Sequence, residues 1–275
     1  MGVEIRPRAL GVIVGRGGSK RLPKKALREL GNHPLIAWAI SAAIASSLDK
    51  VIVSTDDPEI ATTAELYGAS VPFLRPPELA QDNVGNDAVL GHALEWMVNR
   101  EKQNFEIIVL IQSSSPFVRS ENINSCISGV LEPRISSCFT VAESLIAPEA
   151  MFRREPDGTV TPIAAGPWLS RDWRSHPIPP AYHANGAVWA VLSDVFLKTG
   201  ETYSPPYRAV EMSRARSIDI DLEHDLLVAQ AMIEVNGLSQ VWPSTRLAKT
   251  KPRIAPPNTY RAKYFDDMTF TSSLL

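Results

Sequence analysis

Between Val14 and Arg28 the sequence carries no acidic residue, while Arg16, Lys20, Arg21, Lys24, Lys25 and Arg28 crowd among Gly15, Gly17, Gly18, Ser19 and Pro23. Glycines let backbone N–H groups approach anionic oxygens closely, and arginine and lysine neutralise them. The ligand that such a loop suits is a triphosphate. Two familiar phosphate loops do not fit. A P-loop requires Gly-Lys-Ser/Thr, whereas here Ser19 precedes Lys20, and a dinucleotide fingerprint requires a third glycine where Lys20 stands. A solvated basic loop of no chemical significance is the alternative.

A second group lies two hundred residues on. Ser217-Ile-Asp-Ile-Asp221 alternates with period two, so as a strand it would point Ile218 and Ile220 into the core and set Asp219 and Asp221 on the opposite face. Neighbouring carboxylates repel unless a cation or solvent intervenes. Mg²⁺ accepts hard oxygen ligands from a few carboxylates and from substrate phosphates. The competing reading is that Asp221 caps a helix beginning at Leu222, with Glu223 and Asp225 in its first turn. That reading leaves Asp219 unexplained.

The elements that must hold these groups alternate along the chain. Leu10-Gly-Val-Ile-Val14 is a short apolar run that breaks into the basic loop, as a buried strand does. A helix follows from Pro34, then a second buried strand at Val51–Thr55. Asp57 caps a proline-started helix carrying Ile60, Ala64 and Tyr67, and Gly68 stops it. Further strands are expected at 71–74, 107–112, 137–142, 187–192 and 217–221, and helices at 87–99, 123–131 and 222–235. Strand and helix in alternation, with short connections, mean α/β with a mostly parallel sheet covered on both faces. A loop leaving a buried parallel strand lies at the carboxyl edge of such a sheet, where ligands bind. The proline-rich stretch 143–184 breaks the pattern and reads as an irregular excursion or a partner-contacting arm. Residues 237–275 read as a tail outside the domain formed by 1–236.

Bulk composition excludes several classes. The formal charge of −2 offers no global basic field for nucleic acid or acidic membranes, so any anion site must be local. No apolar run approaches the roughly 20 residues that span a bilayer. Cys126 and Cys138 lack metal-ligand spacing and read as reduced core thiols. Together with an N-terminus that lacks a secretory pattern, they set a cytoplasmic expectation.

Taken together, the segments resemble the acylneuraminate cytidylyltransferases, also called CMP-sialic acid synthetases. The resemblance rests on Arg16-Gly-Gly-Ser-Lys-Arg-Leu-Pro-Lys-Lys25, Val51-Ile-Val-Ser-Thr-Asp56, Leu74-Arg-Pro-Pro-Glu-Leu-Ala-Gln-Asp82, Gln112-Ser-Ser-Ser-Pro116, Asn185-Gly-Ala187 and Ser217-Ile-Asp-Ile-Asp221, in order. It implies a Rossmann-like nucleotidyltransferase fold, a homodimer built with the 143–184 arm, Mg²⁺, and transfer of CMP from CTP to a nonulosonic, sialic-acid-like sugar acid. It also implies roles. Arg16, Lys20 and Lys25 hold the triphosphate and act on the leaving group, with Gly17, Gly18 and Ser19 between them. Arg75, Val84 and Asn86 cradle the nucleotide. Gln112 and Asn185 face the sugar, Arg174 reaches the partner's sugar carboxylate, and Asp219 and Asp221 bind the metal.

The chain departs from that pattern where Ala26 replaces an asparagine and Asn83-Val-Gly-Asn86 replaces a Thr/Ser-rich turn. Rival expectations are a transferase for legionaminic, pseudaminic or eight-carbon acids, and a catalytically silent nucleotide binder. A hydride-transferring oxidoreductase is disfavoured by the missing third glycine.

Overall fold

A computed structural model describes residues 6–164 and 179–236. In chain order, β1 (Ala9–Val14) leads into the basic loop, which the short ladder of β2 (Glu29–Leu30) and β3 (His33–Pro34) closes before α1 (Leu35–Ile44). Then come β4 (Lys50–Ser54), α2 (Pro58–Leu66), α3 (Asn86–Asn99), β5 (Ile107–Gln112), α4 (Ser120–Val130) and β6 (Ser137–Glu143). A small hairpin of β7 (Phe152–Arg154) and β8 (Val160–Pro162) precedes β9 (Tyr182–Leu192), α5 (Ser193–Thr199), β10 (Tyr207–Glu211) and α6 (Glu223–Asn236).

The main sheet runs β10-β6-β9-β5-β1-β4. β1 is parallel to both β4 and β5, and β10 is parallel to β6, while β9 runs antiparallel to β5 and β6. The sheet is therefore mostly parallel, as the alternation of elements predicts. Its central strands are buried on both faces. From β1, Ala9 and Ile13 pack with α1, α2 and α4, whereas Leu10, Val12 and Val14 pack with α3 and α5. β5 divides the same way, with Ile107, Val109 and Ile111 on the first face and Ile108 and Leu110 on the second. Two-sided burial is why these strands read as continuous apolar runs. A third cluster joins α6 to the basic loop through Leu22, Leu30, Trp38, Phe117, Ile220 and Leu226.

Asp57 caps α2 as its position predicts, its carboxylate accepting from Glu59 and Ile60 N–H, and Gly68 follows the helix at φ 96°. Two expected strands are absent. Around 71–74 only Ser70 bridges to Ile52, and the backbone next touches the edge at Arg75 N to Thr55 O, 2.7 Å. At 217–221 the segment is irregular, with Ile220 N donating to Ser114 O at 2.9 Å. The alternation there is real, since Ile220 is fully buried, but alternation needs only extended backbone. A strand needs a straight neighbour to pair with, and the available neighbour is the turn just past β5. β9 begins at Tyr182, five residues before the expected start, and α5 and β10 lie where no regular structure is expected from the sequence.

Candidate active site

The register sets Val14 opposite both Gln112 and Ser54, so the carboxyl ends of β1, β5 and β4 form one line. A cavity of about 640 Å³ opens there. It is lined on one flank by Arg16, Ser19, Lys20, Arg21 and Lys25 and on another by Asp219 and Asp221. Gln112, Ser113 and Ser114 lie along its floor, and Arg75, Asp82, Val84 and Asn86 line the wall before and at the start of α3. Residues far apart in sequence thus share one site because they leave the same sheet edge.

The basic loop is anchored from below. Gly17 N–H donates to Asp56 Oδ1 at 3.0 Å, and a Cβ on Gly17 would lie 2.7 Å from Asp57 Oδ2, so the loop reaches this close to the end of β4 only as glycine. Gly18 is different, because a Cβ there would meet nothing within 4 Å. Neither Gly17 nor Gly18 lines the cavity. Ser113 Oγ donates to Val14 O at 2.7 Å and ties the ends of β5 and β1.

The two flanks touch. Lys25 Nζ lies 2.8 Å from Asp221 Oδ1, and Arg21 lies 2.6 Å from Oδ2. Asp221 does not cap the last helix with its side chain. Asp225 does that work, its Oδ2 accepting from Asp221 N–H and Leu222 N–H at 2.9 and 2.8 Å. Burial pushes the Asp221 carboxyl up, but Lys25 and Arg21 outweigh it and hold the group below its ordinary value. Asp219 behaves oppositely. Its side chain keeps surface open to the cavity, yet the protein crowding around it raises the carboxyl, with Asp221 and Asp225 adding to the rise and Ser114 and Lys25 opposing it.

Arg75 is 6% exposed; its Nε donates to Ser54 Oγ at 3.1 Å, and Nη2 donates to the Ser54 carbonyl. Burial lowers its pKa to about 10, Asp56 opposing and Arg16 adding to the shift. Among the described residues it makes no ion pair, and a buried cation in that condition favours an anion from outside.

Asn185 sits behind the cavity wall. Its amide N–H₂ donates to Ser217 Oγ at 2.8 Å, and its carbonyl accepts from Thr140 Oγ1 at 2.6 Å, so the side chain links β9, β6 and the segment carrying Asp219. The cavity wall at that point is Gly186, in the left-handed region at φ 76°. Arg174 lies outside the described residues. Sequence reasoning did not single out Asp82 or Trp189, both of which line the cavity. Asp82 ends one of the quoted motifs, which was its only signal; an aromatic on a strand reads as core, so Trp189 had none.

An α/β sheet whose carboxyl edge opens into a cavity, with loop cations facing two carboxylates, is an arrangement suited to a nucleotide's phosphates. The sequence model of the cytidylyltransferase family matches residues 10–238, and the chain belongs to that family. It is 32% identical over 234 residues to the CMP-N,N'-diacetyllegionaminic acid synthase of Legionella pneumophila, covering 83% of this chain and 97% of the relative. It is 29% identical over 226 residues to the N-acylneuraminate cytidylyltransferase of Escherichia coli, covering 82% of this chain and 52% of that longer protein. Among solved structures, CMP:2-keto-3-deoxy-manno-octonic acid synthetase complexed with CTP superimposes with a TM-score of 0.60 at 17% identity, over 82% of this chain and 98% of that one. At that identity the likeness is one of fold.

Proposed function

We propose that the protein transfers CMP from CTP to a nonulosonic, sialic-acid-like sugar acid and releases pyrophosphate. The observation that carries this reading is the single cavity shared by Lys20 and Asp219, with Lys25 and Asp221 in contact across it. The sugar's anomeric hydroxyl attacks the α-phosphorus, the bond to the pyrophosphate oxygen breaks, and the hydroxyl proton passes to water. Arg16, Lys20 and Lys25 face the departing phosphates, and Arg75 supplies a desolvated positive charge at the cavity wall. Such a reaction needs positioning and charge neutralisation and no protein nucleophile.

Asp219 and Asp221 are the groups we assign to Mg²⁺. Their donor chemistry fits, because both are carboxylates beside one another at the cavity, and Mg²⁺ completes its shell with phosphate oxygens and water. Among the described residues no group of three or more His, Cys, Asp or Glu side chains gathers to hold a metal. When bound, Mg²⁺ would neutralise charge on the α-phosphate.

A panel of sugar acids tests the acceptor. With CTP, nonulosonic acids are expected to release pyrophosphate, and the panel separates sialic, legionaminic, pseudaminic and eight-carbon acids. The legionaminic relative makes that acid the leading alternative within the class. CTP binding without turnover on any acid would instead establish a silent homologue.

We further propose a homodimer joined through the 143–184 arm, with Arg174 completing the partner's sugar site and 237–275 lying outside the catalytic domain. Supporting this, Leu145, Ile146, Val160 and Ile163 are 55–80% exposed in and beside the β7–β8 hairpin. Sedimentation is expected to show a dimer, and a strictly monomeric profile would defeat the arm. Among the described residues no helix is long and apolar enough to cross a membrane. We place the reaction in the cytoplasm, where CTP is available.

A further inference from the structure

Arg16 and Lys20 face the cavity, and both are engaged by one carboxylate. Arg16 Nη2 lies 2.7 Å from Asp82 Oδ1, and Lys20 Nζ contacts Oδ2. Arg16 also donates from Nη1 to the Ala80 carbonyl at 3.3 Å, so the segment leading into α3 is tied to the basic loop beside the cavity. The contacts are strong enough to hold the Asp82 carboxyl below its ordinary value, the Lys20 hydrogen bond contributing most, with Arg16 helping and burial opposing. They are also exchangeable. Asp82 is 44% exposed and the Lys20 side chain 80%, so water and salt screen the pair and little holds it closed.

A carboxylate that accepts from two cations at once presents the same pair of anionic oxygens that a phosphate would present. We propose that Asp82 is an internal competitor for the phosphate-binding cations: it pairs with Arg16 and Lys20, yields them to an incoming triphosphate, and reclaims them as pyrophosphate leaves. The inference rests on the phosphate role given to Arg16 and Lys20 above. Its quantitative consequence follows from population arithmetic. Apparent affinity for a polyphosphate falls by the fraction of molecules in which the cations are free, and exposed ion pairs of this strength reduce it by about three- to tenfold.

The test is calorimetric titration of the full chain with inorganic tripolyphosphate and with pyrophosphate, without metal or nucleotide. D82N is expected to bind both about three- to tenfold more tightly than the unmodified protein. D82E, which keeps the charge, is expected to bind as the unmodified protein does. Glu78, an exposed acid on the same segment with no ion pair among the described residues, serves as control, and E78Q is expected to change affinity less than about twofold. A general loss of negative charge would tighten E78Q as much as D82N and would overturn the proposal. Equal or weaker binding by D82N would overturn it as well, since a purely supporting role for Asp82 weakens the site when the support is removed. If the unmodified protein and D82N both fail to bind tripolyphosphate, the phosphate role of the loop falls and the competitor with it. Binding by the unmodified protein without tightening in D82N removes the competitor alone.

Discussion

Asp219→Asn is expected to lower kcat/KM for CTP by about a hundred- to thousandfold while leaving the melting temperature unchanged or higher. The two effects have opposite signs for one physical reason. The protein crowds the Asp219 carboxyl and, with Asp221 and Asp225 nearby, raises it above its ordinary value. An acid raised in this way costs stability at neutral pH, where it is ionised against its environment. Asparagine keeps the shape and removes the burial cost and the repulsion from Asp221 and Asp225, which together outweigh the lost attraction to Lys25. Turnover loses a negative oxygen at the position assigned to the metal, and an amide oxygen is a weaker ligand for a hard cation. Steady-state kinetics and thermal unfolding on the same preparation give both readouts. Near-normal turnover in D219N would remove Asp219 from the metal site.

Lys25→Met is expected to reduce kcat/KM by about a hundredfold and, in contrast, to lower stability. Lys25 contacts Asp221 at 2.8 Å with only 22% of its side chain exposed, and it also stabilises the charge on Asp219. Methionine fills the same volume without charge, leaving Asp221 to Arg21 alone. The Asp221 side chain is about a third exposed, so the loss is at most about 1 kcal/mol after solvent screening. Its pH dependence follows from the depressed Asp221 carboxyl. The stabilisation from the pair is present above the ordinary carboxylate value and disappears as pH falls through the lowered native value. Urea denaturation should therefore separate K25M from the unmodified protein at pH 7 and bring the two together in strong acid. A difference that persists in acid would assign the effect to packing, and unchanged turnover would remove Lys25 from the leaving-group side.

These two residues show how differently parts of the site can be read. The charge pattern around Lys25 is local: glycines and cations within one loop, without acids, are enough to raise the expectation of an anion site from the chain alone. Asp219 and Asp221 are equally visible as an alternating pair, but their setting is not. The segment pairs with nothing as a strand, because its neighbour is the turn after β5, and Asp225 takes the capping task that the sequence offered to Asp221. Asn185 marks another gap of the same kind. The resemblance implies a sugar-facing role for Asn185, and its hydrogen bonds to Thr140 and Ser217, which place it behind the wall, are not legible from the sequence.

The sequence alone determined the class of the fold, the order of its buried strands and the sign of charge on each flank. Strands buried on two faces must be continuously apolar, and the charge of a loop is carried residue by residue, so both leave local traces. The tertiary structure decided which charges meet. Asp82 against Arg16 and Lys20, Asp221 against Lys25 and Arg21, and Arg75, which among the described residues makes no ion pair, depend on distances between segments that are remote along the chain. So does β10, an edge strand that is exposed except at half-buried Val210 and that pairs in parallel along β6. Pairing energies belong to neighbours in space, and the chain does not record its spatial neighbours until it has folded.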